Sequence, residues 1–395
     1  MSFRYSFHFI LQHFLKRESN QFFLSVAIRS LAIGMVVIFE PIYMYFYFDR
    51  SLSLTLLFFA AIYGLYGVFV YFGGKIMSKI GFDWAMLTSH FFFFGYYLIL
   101  IFIQCSSFFV LLAIFLKTIG MILFWPSFHT DFTRFSRDGR RGIEVGKKNV
   151  ATFIPTILSP VIGGWILASF GYPSLFTAVL VVLLASTIPL FFNKEKYEVY
   201  TDSYKESWQR IFKKGNRRSS LAFTCQSIEL GVNGLIWPLF MAILAISYLS
   251  MGWITSFAIF ISSIFALYLG RLSDTGRRSK LLNIGSFLTS ISWVIKYFVI
   301  TPFTAFLAQT LYRICRTSVG VPFQTFFYEK AFLKKELADE FIISQEITSG
   351  IAKCFSLIFF AILFLIIPKV NLAFLFAAII SFGFTFLGRP SKSNL

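Results

Sequence analysis

An all-α membrane protein with twelve transmembrane helices in two pseudo-symmetric six-helix halves is the fold class this sequence predicts. Three observations carry it. Of 395 residues, 57% are apolar and only 14% charged, with a mean hydropathy of +0.73, whereas a soluble domain carries roughly 45–50% apolar and about 25% charged residues. About twelve unbroken apolar stretches follow one another, each near the ~20 residues that span a hydrocarbon core as a helix. Basic residues gather in alternate connections between them. An ordinary soluble enzyme and a disordered chain are excluded at once.

Residues 1–20 come first. Phe3, Phe7, Ile10, Leu11, Phe14 and Leu15 recur at steps of three and four, the spacing of one helix face. No small-residue cleavage site follows a short apolar core, so the segment does not read as a removable signal peptide and is expected to lie as a cytoplasmic interfacial helix. The spans are predicted at 21–48, 54–74, 84–104, 107–127, 149–169, 172–192, 217–244, 250–269, 281–300, 302–322, 345–367 and 371–387. A transmembrane β-barrel would alternate over segments of about ten residues, and these runs do not alternate. Cys105, Cys225, Cys315 and Cys354 stand singly, without disulfide, redox or metal-type spacing.

Of the 36 Lys and Arg residues, 28 fall in the two termini and the connections 75–83, 128–148, 193–218, 270–280 and 323–344. Arg29, Lys117, Arg313, Arg316 and Lys353 fall inside spans, leaving Arg50, Lys296 and Lys369 at the other face. Cytoplasmic loops retain basic residues, so both termini are expected in the cytoplasm. The net charge of +18 then marks one membrane face, and no nucleic-acid partner is needed to explain it. The expected organisation is a cytoplasmic segment 1–20, a six-helix bundle 21–192, a basic central loop 193–218, a second bundle 219–388 and a cytoplasmic tail 389–395.

An offset of 196 residues superposes several features of the two bundles. Gly74 meets Gly270, Pro126 meets Pro322 within matching aromatic surroundings, Lys117 meets Arg313, and Pro41 falls one residue from the counterpart of Pro238. Agreement of this kind predicts a structural repeat.

The connection after the eighth span reads Gly270-Arg271-Leu272-Ser273-Asp274-Thr275-Gly276-Arg277-Arg278. It resembles the signature of the major facilitator superfamily: a Gly, an Asp four residues later, then Gly-Arg-Arg. The first-half counterpart, from Gly74 to Gly81, departs from it in carrying Ser78 at the Asp position. Pro160-Val161-Ile162-Gly163-Gly164 resembles the family's proline-glycine kink in the fifth span, with Ser159 before it where exporters of the family commonly carry Gly. The resemblance covers essentially the whole chain and implies a gating role for Gly74, Pro160, Gly163, Gly164, Gly270, Asp274, Gly276, Arg277 and Arg278. Physically, Gly270 and Gly276 permit a tight turn, and Asp274 suits a helix N-terminus. Arg277 and Arg278 either pair with acids or lipid phosphates or simply belong to a basic loop.

An ionisable group at the bilayer centre costs from about 2.5 to over 10 kcal/mol on different scales. Glu40, Glu229, Arg29, Lys117, Arg313 and Arg316 all fall on spans 1, 4, 7 and 10, which the resemblance implies are cavity-lining helices. They are the candidate substrate-binding set. Arg313 and Arg316 share a helix face suited to carboxylate or phosphate oxygens. Arg29 either faces substrate or snorkels, Glu40 binds, carries a proton or pairs with Lys117 beside Pro41, and Glu229 pairs with Arg313 or Arg316 or carries a proton. His129 reads as an ordinary residue at the membrane edge.

Four bases against two acids leave two surplus positive charges on these helices. The function expected is secondary active transport by alternating access of a small organic, amphiphilic or phosphate-bearing anion, with protons as candidate coupling ion. The protein is expected to act as a monomer in the plasma or inner membrane, without a cofactor or metal. Export of hydrophobic or cationic compounds, and a non-transporting receptor or scaffold on a transporter fold, are the alternatives, and transport direction stays open. No Gly-x-x-x-x-Gly-Lys-Ser/Thr loop, His-Glu metal motif or serine elbow is present, so neither a nucleotide-driven pump nor an enzyme is expected.

Overall fold

The computed structural model describes residues 18–135, 141–192, 200–273, 278–333 and 338–387, and among these it is helical with no strand. Span 1 is broken into Glu18–Val36 and Glu40–Tyr47. Spans 2, 3 and 4 are Leu52–Ile80, Phe82–Phe102 and Phe108–Phe135. Spans 5 and 6 share the helical run Arg141–Thr187, which bends at Gly171, where φ is 80°. Span 7 comprises Arg217–Gly231, a π-helical turn Val232–Ile236 and Trp237–Ile243. Spans 8 to 11 are Tyr248–Ser273, Arg278–Tyr297, Pro302–Leu333 and Ala338–Ile366. Span 12 is Leu372–Ser381, extended by a 3-10 turn to Phe386.

Among the described residues, seven stretches are long and apolar enough to cross a membrane, and one of them, Thr152–Phe191, holds both spans 5 and 6. Spans 7, 9, 10 and 12 complete the twelve; they carry more polar residues or are shorter. The expected boundaries around the 323–344 connection change most. Span 10 runs on to Leu333 and span 11 begins at Ala338, so most of the predicted 323–344 connection is helix. The central connection also contains a helix, Tyr204–Phe212, opened by a Ser203–Glu206 capping box. The predicted interfacial helix lies outside the described residues up to Arg17.

The repeat is visible in the backbone. Pro lacks an N–H and its ring clashes with the carbonyl four residues earlier. For Pro41 that residue is Val37, in the break of span 1, and for Pro238 it is Gly234, inside the π-helical turn of span 7. Asp49 and Ala245, 196 residues apart, both adopt left-handed backbone (φ 49° and 55°) in the turns that follow. Packing repeats as well. Span 2 packs on span 4 and span 3 on span 4; span 8 packs on span 10 and span 9 on span 10 in the same way.

The two halves meet along spans 2 and 11 and along spans 5 and 8. Small residues let these backbones touch. A Cβ on Gly350 would lie 2.7 Å from the Gly67 Cα, one on Gly252 would lie 2.5 Å from the Pro160 carbonyl oxygen, and one on Gly164 would lie 2.6 Å from the Tyr248 carbonyl oxygen. Gly163 is pressed against the Met35 carbonyl of span 1. Without a hydrophobic force between helices in lipid, close packing of this kind drives association. We expect Gly350→Ala to lower stability in detergent by about 1–3 kcal/mol through overpacking. Gly234→Ala, which meets nothing within 4 Å, should leave the melting temperature unchanged or raise it.

Candidate functional site

The face where span 1 begins and span 12 ends is called proximal below, and the other distal. In the first half, Glu40 opens the distal piece of span 1, directly after its break, and is 4% exposed. Its Oε1 accepts a hydrogen bond from the Tyr96 hydroxyl of span 3 at 2.8 Å and pairs with the Lys117 ammonium of span 4. Lys117 also lies over the rings of Tyr96 and Phe59, at 4.7 and 5.5 Å. In the second half, Glu229 precedes the π-helical turn of span 7 and is fully buried. It accepts from Trp293 Nε1 of span 9 at 3.1 Å, from the Tyr312 hydroxyl at 2.5 Å and from Arg316 Nε at 3.0 Å, both of span 10.

The two clusters share one plan. An acid on span 1 or 7 meets a neutral donor on span 3 or 9 and a base on span 4 or 10. Tyr96 plus the offset of 196 lands one residue from Trp293, whereas Glu40 and Glu229 occupy different turns of their helices, on opposite sides of the backbone break. Each carboxylate is therefore both ion-paired and hydrogen-bonded, the condition under which a charge persists in a low-dielectric interior.

The remaining bases separate into different settings. Arg29 stacks over Phe124 at 3.5 Å, with Phe93 at 5.1 Å, so its guanidinium lies among aromatic rings of spans 3 and 4 rather than reaching a membrane face. Arg316 is bound to Glu229, and Phe384 of span 12 lies 5.3 Å away. The Nε atoms of Arg29 and Arg313 are both buried with no hydrogen-bond partner among the described residues, but the Arg29 guanidinium is covered by the Phe124 and Phe93 rings. Arg313 and Arg316 are thus brought to one helix face but into different roles: one neutralised, one with donor capacity left over.

Lys296 corrects the sequence reading, which set it at the distal face. It is 0% exposed. Its ammonium lies 4.1, 4.3 and 3.8 Å from the ring centres of Trp237, Trp293 and Tyr312, and it donates to Asn233 Oδ1 in the π-helical turn at 3.2 Å. Its place at the last turn of span 9 hides this, because Trp237, Asn233 and Tyr312 come from spans 7 and 10. His129, read from sequence as an ordinary membrane-edge residue, meets Glu346, which the sequence does not single out. They are 3.4 Å apart, and the Tyr66 hydroxyl donates to Glu346 at 2.6 Å. The early start of span 11 at Ala338 is what carries Glu346 inside.

Among the gating candidates, Gly74 faces Ile343 of span 11 and the Tyr200 ring. Ser159 fills the space left by Gly34, and Pro160, Gly163 and Gly164 lie at the contacts of span 5 with spans 8 and 1. Asp274, Gly276 and Arg277 lie outside the described residues, and Gly270 and Arg278 stand in the helix ends on either side. Ser78, at the position of the missing Asp, accepts from the Tyr200 N–H at 2.9 Å and thereby holds the segment that links the halves.

A family model described as "Major Facilitator Superfamily" matches residues 22–225. A solved structure, described as the crystal structure of the human organic anion transporter MFSD10 (TETRAN), superposes with a TM-score of 0.71 at 13% identity, over 95% of this chain and 99% of that one. No curated protein sequence matches this chain.

Removing one member of a buried pair leaves the other uncompensated, at about 3–5 kcal/mol. Glu40→Gln and Lys117→Met should each lower the melting temperature in detergent, and the double variant should recover most of the loss. Additive losses in that double-mutant cycle would show that the pair is not coupled.

Proposed function

The chain belongs to the major facilitator superfamily, whose members are secondary transporters, and from that premise we propose that this one carries a small organic anion. The observation that supports this reading is the Arg313 guanidinium, with a buried Nε lacking a partner. Glu40 is already held by Lys117 and Glu229 by Arg316, so neither acid is spare for Arg313. A carboxylate, sulfonate or phosphate supplied by the substrate would satisfy it, in the planar geometry that suits a guanidinium.

Lys117 is the counterpart of Arg313 under the offset of 196. We assign it as the first-half contact, since its side chain keeps 17% exposure while paired. Arg316, Glu40 and Glu229 set the electrostatic frame around this pair of bases, and Arg29 is assigned a packing role. Transport follows alternating access: the halves rock about the bound anion, and binding energy that differs between the two states moves the equilibrium. The likeness to MFSD10, at 13% identity, supports the fold; the anion reading rests on the charges. The positive-inside distribution supports cytoplasmic termini in a plasma or inner membrane, and the protein is taken to work as a monomer without a cofactor.

Purified protein in liposomes should take up organic anions and be stabilised by them in a thermal-shift assay. Losing a charge-assisted hydrogen bond, about 1.5–3 kcal/mol, predicts a roughly 10- to 100-fold weaker apparent affinity in Arg313→Gln. Stabilisation by cations alone, untouched by Arg313→Gln, would overturn the anion assignment.

A further inference from the structure

We infer that Glu346 is the carboxyl through which protons act on the transport cycle, by way of a contact made across the two halves; this rests on the transporter reading above. A proton couples to a conformational change only if its site binds it differently in the two states. Glu40 is held by Tyr96 and Lys117, all in the first half, and Glu229 by Trp293, Tyr312 and Arg316, all in the second. When the halves rock as bodies, each of these carboxylates travels with its own partners. Neither loses its partners in that motion.

Glu346 is placed differently. It belongs to span 11, in the second half, yet both groups at its oxygens come from the first half: Tyr66 of span 2 donates to Oε2 at 2.6 Å, and His129 Nε2 of span 4 lies 3.4 Å from Oε1. Its charged neighbour on its own helix is Lys353, two turns away, whose ammonium lies 4.7 Å from the centre of the Tyr63 ring of span 2. Span 10 presents Phe327 to the His129 ring, and span 7 presents Ser227 to Ser349. Toward the proximal end, Asp339 accepts from Thr130 and Glu340 from Thr201. The acids nearest in sequence are therefore bound to other groups.

Opening the proximal face moves spans 2 and 4 away from span 11 and removes both contacts at once. The carboxylate form tightens the closed state through charge-assisted hydrogen bonding. A proton on Glu346 gives up that charge, so acid favours opening, and by reciprocity the open state binds the proton more tightly. Charge on His129 acts the other way, strengthening the contact.

The test uses spin labels at Lys79→Cys and Lys280→Cys, exposed positions on spans 2 and 9 near the proximal face, with the four native cysteines replaced and the full-length protein in lipid nanodiscs. Pulsed electron-electron distance measurements should show a longer population growing as pH falls from about 8 to about 5, across the carboxyl range. Glu346→Gln should show that population at both pH values. Asp49→Asn, at an exposed acid in the turn that follows span 1, should keep the wild-type response, and Glu346→Asp should keep a response with a shifted midpoint. A wild-type pH response in Glu346→Gln, or its loss in His129→Asn but not in Glu346→Gln, overturns the assignment. Should Glu346→Gln not fold, Glu346→Asp decides: a shifted midpoint supports the assignment and an unmoved one overturns it. Anion flux is measured separately. Flux that depends on Arg313 without any pH-driven separation overturns this inference alone, and pH-driven separation that needs Glu346 in a protein without anion flux upholds it while overturning the anion reading.

Discussion

A carboxylate in the middle of a membrane must be neutralised by groups that stay beside it, and the architecture of this protein is organised around that demand. Glu40 and Glu229 each gather a base and at least one neutral donor from helices of their own half. This ties spans 1, 3 and 4 into one body and spans 7, 9 and 10 into another. Polar contacts alone would add little net stability in lipid. Their larger effect is to fix which helices belong together, since any rearrangement that separated acid from base would strand a charge.

The broken helices fit the same scheme. Pro41 and Pro238 interrupt spans 1 and 7 at nearly equivalent turns, and each interruption lies next to a cluster. In span 1 the break precedes Glu40; in span 7 the π-helical turn follows Glu229 and supplies the Asn233 oxygen that receives Lys296. Pro-disrupted backbone is tolerated at membrane depth where neighbouring helices satisfy it. The aromatic rings of Trp237, Trp293 and Tyr312 let a second-half ammonium remain buried there without a carboxylate directly bonded to it.

Much of this architecture is legible along the chain, because apolar runs, prolines and repeats are local in sequence. The bend at Gly171 falls between the fifth and sixth predicted spans, and the offset that joins Pro126 to Pro322 also joins the left-handed turns at Asp49 and Ala245. What sequence cannot supply is the partner of each charge. Lys296 looks like a membrane-edge residue until spans 7 and 10 close over it, and Glu346 looks like the start of a span until span 11 is seen to begin two turns earlier, at Ala338. The neutral donors Tyr96, Trp293 and Tyr312 were not distinguishable among 18 Tyr and 7 Trp, since only three-dimensional proximity to a carboxylate sets them apart.

The division of charges has a mechanistic consequence. In the proposed rocking motion, pairs that are closed within a half keep their partners and hold a site's shape and field. Groups whose partners lie across the interface lose those partners when the halves separate. Here spans 2 and 11 are in backbone contact at Gly67 and Gly350, so glycine packing within one turn of Tyr66 and Glu346 holds these two side chains in register. A small separation at that point would break the Tyr66 hydrogen bond and the His129 contact together, tying the proposed motion to the stability of one carboxylate. Under the two proposals above, substrate charge at Arg313 and proton charge at Glu346 act at different places on the same movement, which lets one bias the other without direct contact.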